Sequence, residues 1–421
     1  METFRRILKD RQIRGRILAM MGLLALFRVA AVLPIPGIDT TQLKALFASN
    51  QVLGFLNLFT GGALDNLSIV MLGVGPYITG SIIMQLLTMI FPNLKQAYFE
   101  EGEIGRKKFQ RLSRYLTLPL AFLQGFALLT ILARQGIIAQ PTVMVLAVNV
   151  LIVAAGSIFL MWIGELMTQY GIGNGVSMII FAGIVSAIPS TVRQVALSTI
   201  SAAQIPVIIG FVLASVVIIA GVVYVTEAER PIPVSYAKRV RGGKLYGGLA
   251  TYLPLRVNQA GVIPIIFALS ILIFPQVILT FIANSASVSV ASTAASIQTW
   301  LNSLWVRGGM YFVLVFLFTY FYTSVTFDPK SISENLQKSG GFIPGMRPGN
   351  PTAEYLAYVI SRITLFGGFF LGIIAVLPIL MEGLTGNQAL TIGGTALLIV
   401  VSVVLETMRQ VSAQLTIREY D

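Results

Sequence analysis

The sequence predicts an all-α polytopic membrane protein with ten transmembrane helices, and three observations predict it. Ten apolar stretches punctuate the 421 residues; hydrophobic residues make up 56% of the chain against 11% charged, with a mean hydropathy of +0.83; and the charge collects on alternate connections. A water-soluble surface of this size cannot be covered with so few polar side chains, so the bilayer is the solvent for most of it.

The predicted spans are 17–35, 72–91, 115–133, 143–163, 175–189, 205–224, 258–281, 308–326, 360–380 and 389–408. Most are close to the roughly 20 residues that cross a hydrocarbon core of about 30 Å. Segment 175–189 is the shortest. The first span follows a basic start like that of a signal peptide, but without a cleavage pattern, and is read as retained. No polar stretch is long enough for a separate soluble domain, so residues 1–421 form a single membrane domain.

Between the first two spans, residues 54–71 are apolar yet unsuited to crossing. Gly61, Gly62, Asp65, Asn66 and Ser68 interrupt them, and Gly73, Gly75 and Pro76 break the connection onward. A short broken helix fits this composition; a loop lying flat on the outer surface is the alternative. Irregular backbone at membrane depth is tolerated only where protein or a watery cavity encloses it, so a re-entrant segment implies an interior cavity.

Lysines and arginines orient the chain. Arg5, Arg6, Lys9, Arg11, Arg14 and Arg16 precede the first span; Lys95, Arg106, Lys107, Lys108, Arg111 and Arg114 follow the second; Arg230, Lys238, Arg239, Arg241, Lys244 and Arg256 follow the sixth. Lys330, Lys338, Arg347, Arg362, Arg409 and Arg418 join the same side, against Lys44, Arg134, Arg193 and Arg307 opposite. The positive-inside rule then makes both termini cytoplasmic and explains much of the net charge of +12. The connection 226–258 has more to it. Its prolines, paired glycines and basic residues suit a projecting hairpin with an ordered tip, able to dock on an anionic partner such as ribosomal RNA. In loop 327–357, the run GFIPGMRPGNPT favours a rigid irregular tip.

With no cysteine and no histidine, the chain lacks thiol nucleophiles, disulfides, the usual zinc ligands and the commonest general base. Catalysis is not expected, nor is a cofactor. GGKLYGG lacks the glycine spacing of a phosphate-binding loop and has no Ser or Thr after Lys244. A secondary transporter with broken helices is the main competing class, but it needs ionisable groups near the midplane. Here Arg28 and Glu406 lie within or near span ends, Glu165, Glu227 and Glu382 near interfaces, and none of them forms an obvious acid–base pair.

Several segments together carry a resemblance. NLFTGGALDNLSI followed by GPYITGSIIMQLLT, then GELMTQYGIGNGVSMIIFAGI, ERPIPVSYAKR, LPLRVNQAGVIPIIFA and ENLQKSGGFIPGMRPGNPT, in that order and on the expected sides, are similar to the SecY/Sec61-alpha family of protein-conducting channels. The resemblance runs from the amino-terminal segment to the last span. It implies two inverted five-helix halves, 1–189 and 205–408, around an hourglass pore, with cytoplasmic loops 226–257 and 327–357. The implied activity is passive: unfolded secretory proteins cross the bacterial cytoplasmic (inner) membrane, and membrane proteins leave sideways into lipid after their signal sequences are bound. Energy comes from the SecA motor or the ribosome, and SecE and SecG are the small membrane partners.

Residue by residue, the resemblance implies a pore ring of Val74, Ile78, Ile180, Ile266 and Val404, with Phe274 further along. Such a ring gates by dewetting. It implies a plug over 57–68, with Phe59, Leu64 and Leu67 as inward contacts, Gly61 and Gly62 as hinges, and Asp65 and Asn66 facing water. Gln85, Thr117 and Asn258 match a polar cluster at a lateral gate. Arg230, Lys238, Arg239, Arg241, Lys244 and Arg256 match a loop used by ribosome and motor, and Arg347 a position needed for motor engagement.

Overall fold

Each of the ten predicted stretches falls mostly on a helix, although 17–35, 72–91 and 258–281 run past the helix ends by one to five residues. The computed structural model describes residues 10–35, 57, 60, 62–64, 66–99, 102–134, 142–198, 205–236, 239–241, 244–246, 250–261, 263–283, 288–385 and 388–419. In chain order the helices are α1 (Arg11–Val32), α2 (Gly75–Ile90), α3 (Pro92–Phe99), α4 (Gly102–Arg134), α5 (Val143–Tyr170), α6 (Gly175–Ser198) and α7 (Ile205–Glu227), then α8 (Ile263–Ala283), α9 (Val288–Asn302), α10 (Leu304–Thr326), α11 (Pro329–Lys338), α12 (Asn350–Thr385) and α13 (Gln388–Glu419). Among the described residues six helices are long and apolar enough to span a bilayer, seven if α2 and α3, bent by 110°, count as one broken span. Gly175–Pro189, Ser215–Glu227 and Ile263–Leu272 are apolar but shorter.

Local chemistry sets the helix ends. Asp10 caps α1, its carboxylate accepting from the backbone N–H groups of Gln12 (2.8 Å) and Ile13 (3.1 Å). Asp328 caps α11 in the same way through the Lys330 N–H, with Pro329 opening the first turn. The run GIGNG is the turn from α5 to α6. Gly173 takes φ +92°, Asn174 Oδ1 accepts from the N–H groups of Val176 and Ser177, and a Cβ on Gly175 would collide with the Gly164 carbonyl.

Helix packing sorts into two groups. In one, α1 packs on α5, α2 on α4, α4 on α5 and α5 on α6; in the other, α7 packs on α12 and α13, α8 on α10, α10 on α12 and α12 on α13. The groups meet where α8 lies against α2 and α4, and again where α13 lies against α6.

Connections after α7 and α10 fold together. Strand β1 (Glu229–Tyr236) runs antiparallel to β4 (Ala250–Arg256), while β2 (Arg239–Arg241) and β3 (Lys244–Tyr246) form the tip hairpin. A two-residue strand β5 (Gly341–Phe342) pairs with the other edge of β1, giving the order β4-β1-β5. Ile232, Leu255, Ile343 and Leu356 form a small apolar core beneath it. The two loops, read from sequence as separate projections, are one unit. The reason is burial: alternate residues Ile232 and Val234 of β1 need a covering face, which the second loop and the start of α12 help to provide.

The charged residues also depart from expectation. Arg114 pairs with Glu165 at 2.7 Å, Arg307 with Glu382 at 2.5 Å, and Arg409 with Glu227 at 2.9 Å, so three of the acidic residues for which no acid–base pair is apparent in the sequence are in ion pairs with arginines elsewhere in the chain. Each pair joins residues at least 51 positions apart, which is why no local pattern announces it.

Candidate functional site: a funnel closed by aliphatic side chains

A cavity of about 870 Å³ runs between the two helix groups. Its lining includes Glu103 and Lys107, both strongly exposed, and Ile78, Ile180 and Ile266, which are all buried. The cavity thus has charged and polar side chains in part of its lining and a buried aliphatic floor in another part, and an aliphatic constriction is the kind of element that can gate a pore by dewetting.

Helix phase decides which side chains make that floor. Val74 precedes α2, Ile78 lies on its first turn, Ile180 on the second turn of α6 and Ile266 near the start of α8, and all four belong to one buried cluster. Ile82 and Ile184 extend it by one helical turn from Ile78 and Ile180. Val404 does not join them. It is 41% exposed, whereas Ile399 and Val403, four residues apart on one face of α13, are buried in the cluster. The contribution of the last helix is therefore Ile399 with Val403. Nothing is described of the Phe274 side chain.

Phe59, Gly61 and Asp65 lie outside the described residues. Asn57 and Thr60 are helical, while residues 62–64 and 66–74 form turns, so the described part of the expected plug helix ends early. Gly62 takes φ +77°, and Asn66 is exposed. Leu64 and Leu67 are fully buried, but against Leu128, Leu129, Leu132 and Val153 of α4 and α5; the contact with the aliphatic cluster comes from Ala63 and Val70 instead. Leu67 has φ +42°, a left-handed conformation that costs a non-glycine residue roughly 1 kcal/mol or more. Its carbonyl accepts from the Ile35 N–H at 2.9 Å, and the Ile69 N–H donates to the Leu33 carbonyl at 3.0 Å, tying the segment to the end of α1. A Cβ on Gly156 would collide with the Ile69 carbonyl, so α5 has glycine where this segment crosses it.

Gln85, Thr117 and Asn258 are carried by α2, α4 and the turn before α8, the elements that meet at one contact between the groups. Their hydrogen bonds stay local. Thr117 Oγ1 donates to the Ser113 carbonyl at 2.8 Å; Asn258 Oδ1 accepts from the Gly261 N–H at 3.0 Å, and its Nδ2 donates to the Gly261 carbonyl at 3.2 Å. Gln85 Oε1 is buried without a hydrogen-bond partner.

Of the basic loop residues, Arg230, Arg256 and Arg347 are exposed. Arg256 pairs with Glu229 across the β1–β4 edge at 3.3 Å, which removes part of its charge from the projecting surface. Arg239, Arg241 and Lys244 lie on the tip hairpin, and Lys238 lies outside the described residues. The Arg347 carbonyl accepts from Thr352 Oγ1 at 2.8 Å, holding the turn that presents this arginine.

Comparison with known proteins bears on this arrangement. The family model described as SecY matches residues 68–408. The protein translocase subunit SecY of Mycobacterium bovis is 42% identical over 434 aligned residues, covering 98% of this chain and 97% of its own. Two solved structures share the fold. One is a SecY whose plug domain stabilises the closed state of the translocation channel and maintains a membrane seal (TM-score 0.66, 18% identity, covering 96% of this chain and 93% of that one). The other is Sec61 in the canine ribosome-channel complex (TM-score 0.61, 19% identity, covering 96% and 93%).

Proposed function

Because the chain belongs to the SecY family, and is therefore a multi-pass, non-enzymatic subunit of a protein translocase channel, we propose that it conducts unfolded secretory proteins across the bacterial cytoplasmic membrane and releases membrane helices sideways into lipid. The observation that carries this is the cavity whose floor is Ile78, Ile180 and Ile266. A flexible aliphatic collar parts for a polypeptide and closes again on water and ions, because wetting an apolar constriction is unfavourable.

On this reading Val74, Ile78, Ile180, Ile266 and the Ile399–Val403 pair form the ring, and residues 57–68 the plug. The polar residues Gln85, Thr117 and Asn258 mark the seam that opens laterally. The ten helical stretches act as ten spans, in two inverted halves 1–189 and 205–408 hinged where α6 meets α13, with both termini cytoplasmic. SecA and the ribosome dock on the joined loop unit, through Arg347 and the basic residues from Arg230 to Arg256, and supply the energy. SecE and SecG complete the membrane complex. The Sec61 relative's ribosome-channel complex supports the ribosome as a partner.

ATP-driven import of a secretory precursor into proteoliposomes that contain the chain, SecE and SecA tests the reading. Wild type protects precursor from protease, and Arg347→Glu abolishes most of that protection without unfolding the channel. Absence of protection with a folded, correctly oriented wild-type complex refutes the channel assignment.

A further inference from the structure

Helix α9 links α8 to α10 at the ends of those helices remote from the β4-β1-β5 sheet, and packs on both. The proposed channel function gives it no role. At about 3.6 residues per turn its sides divide three ways. Ala294 is buried, with Leu301 and Gln298 half-buried beside it, which is the side facing the protein. Ser289, Ser292, Ser296 and Thr299 form an exposed polar side. Between the two, Val290, Ile297 and Trp300 are 45%, 43% and 61% exposed and form a mainly apolar strip whose one polar member, Thr293, turns its hydroxyl back onto the Ser289 carbonyl.

Two further facts identify what covers that strip. The first is connectivity: α9 ends at Asn302, and α10, one of the bilayer-crossing helices, begins at Leu304. Trp305 of its first turn is 81% exposed, and the exposed side chains of Val313 and Leu317 continue down its outer surface. Thus α9 lies at the level where a span enters the membrane, with tryptophans on both sides of the junction, where indole rings favour the headgroup region. The second is charge: no charged residue occurs between Arg256 and Arg307. The hydroxyls of Ser292, Thr293, Ser296 and Thr299 donate to carbonyls of the preceding turn, which lowers their need for water. A helix with an apolar strip, self-satisfied hydroxyls and no charge suits immersion at an interface by apolar burial alone.

We infer that α9 is an interfacial lipid anchor: Val290, Ile297 and Trp300 insert into the headgroup–acyl boundary of the leaflet opposite the sheet and tether α8 to the membrane surface. Since α8 packs on α2 and α4, the lipid interface restrains the helix on which the seam depends.

The test uses the full chain in vesicles, with Trp162→Phe and Trp305→Phe leaving Trp300 as the single tryptophan. In zwitterionic phosphatidylcholine brominated near the upper acyl chain, Trp300 emission falls by roughly half, lipid brominated near the chain terminus quenches it much less, and aqueous iodide has little effect. Replacing part of the lipid with an anionic one leaves the result unchanged. Adding Ile297→Ser shifts Trp300 toward iodide quenching. Strong iodide quenching without bromine quenching places the strip in water and overturns the anchor. Protection from both quenchers assigns the strip to a protein partner, which also overturns it, as does bromine quenching that requires anionic lipid.

Discussion

The two places where the helix groups meet are built differently. Where the turn into α6 and α6 itself meet α13, Ile172 of the turn and Val411 are buried together with Ile13 of α1, Ile17 and Leu415 pack on them, and Thr407 Oγ1 reaches Met178 Sδ of α6 at 3.6 Å. Where α8 meets α2 and α4, the polar residues bond within their own elements and Gln85 Oε1 has no partner. Interlocking side chains of three elements lose contacts abruptly when they separate. A seam whose polar groups are already locally bonded, or unbonded, loses little. On the proposed channel reading, the first contact would serve as the hinge and the second as the opening.

The largest effect is expected at the hinge. Ile172→Ala leaves a cavity that the three converging elements cannot all collapse into, at a cost of about 2–4 kcal/mol. Chemical denaturation of the detergent-solubilised chain reads this as a lower midpoint. Ion leakage through the reconstituted channel stays at the wild-type level, because the aliphatic floor belongs to a different cluster. A leak comparable to that of polar ring substitutions would show that the two clusters are not independent.

A smaller effect of opposite sign is expected at the seam. Gln85→Leu removes a buried oxygen that lacks a partner, and such groups cost about 1–3 kcal/mol. The variant should be more stable by about 1 kcal/mol and slower to release a membrane helix into lipid, measured by the rate of insertion of a signal-anchor protein. Lower stability would mean that the amide makes a bond that holds the seam closed.

What the sequence reveals of these two contacts differs for the same physical reason. Span positions are legible because solvent choice acts on every residue of a stretch, and each of the ten stretches falls mostly on a helix, with errors only at the ends. The GIGNG turn was recognisable because glycine and asparagine carry its geometry. Pairings were not legible: Arg307–Glu382, Arg409–Glu227 and the Ile13–Ile172–Val411 cluster join residues from distant parts of the chain, and nothing in the local pattern of either partner reports the other. Val404 failed for a narrower reason. In a helix as apolar as α13, hydropathy does not fix the rotational phase, and an error of one residue turns a side chain about 100° away. Leu64 and Leu67, read from sequence as inward contacts of the plug, are buried, and only tertiary packing assigns them to α4 and α5 rather than to the aliphatic floor.

The smallest predicted effect separates the two sides of the seam. Asn258 bonds Gly261 at both ends of its amide, and Gly261 takes φ +62°, so this residue shapes the turn that feeds α8. Asn258→Ala should cost about 1 kcal/mol through the turn alone. If the seam is built from locally bonded groups, that cost adds to the gain from Gln85→Leu within about 0.5 kcal/mol, because neither residue supplies the other with a partner. The double variant should then return close to wild-type stability while keeping the slow insertion of Gln85→Leu. A coupling energy well above that margin in a double-mutant cycle would mean that the two amides meet across the seam, and that opening breaks a hydrogen bond rather than merely parting two surfaces.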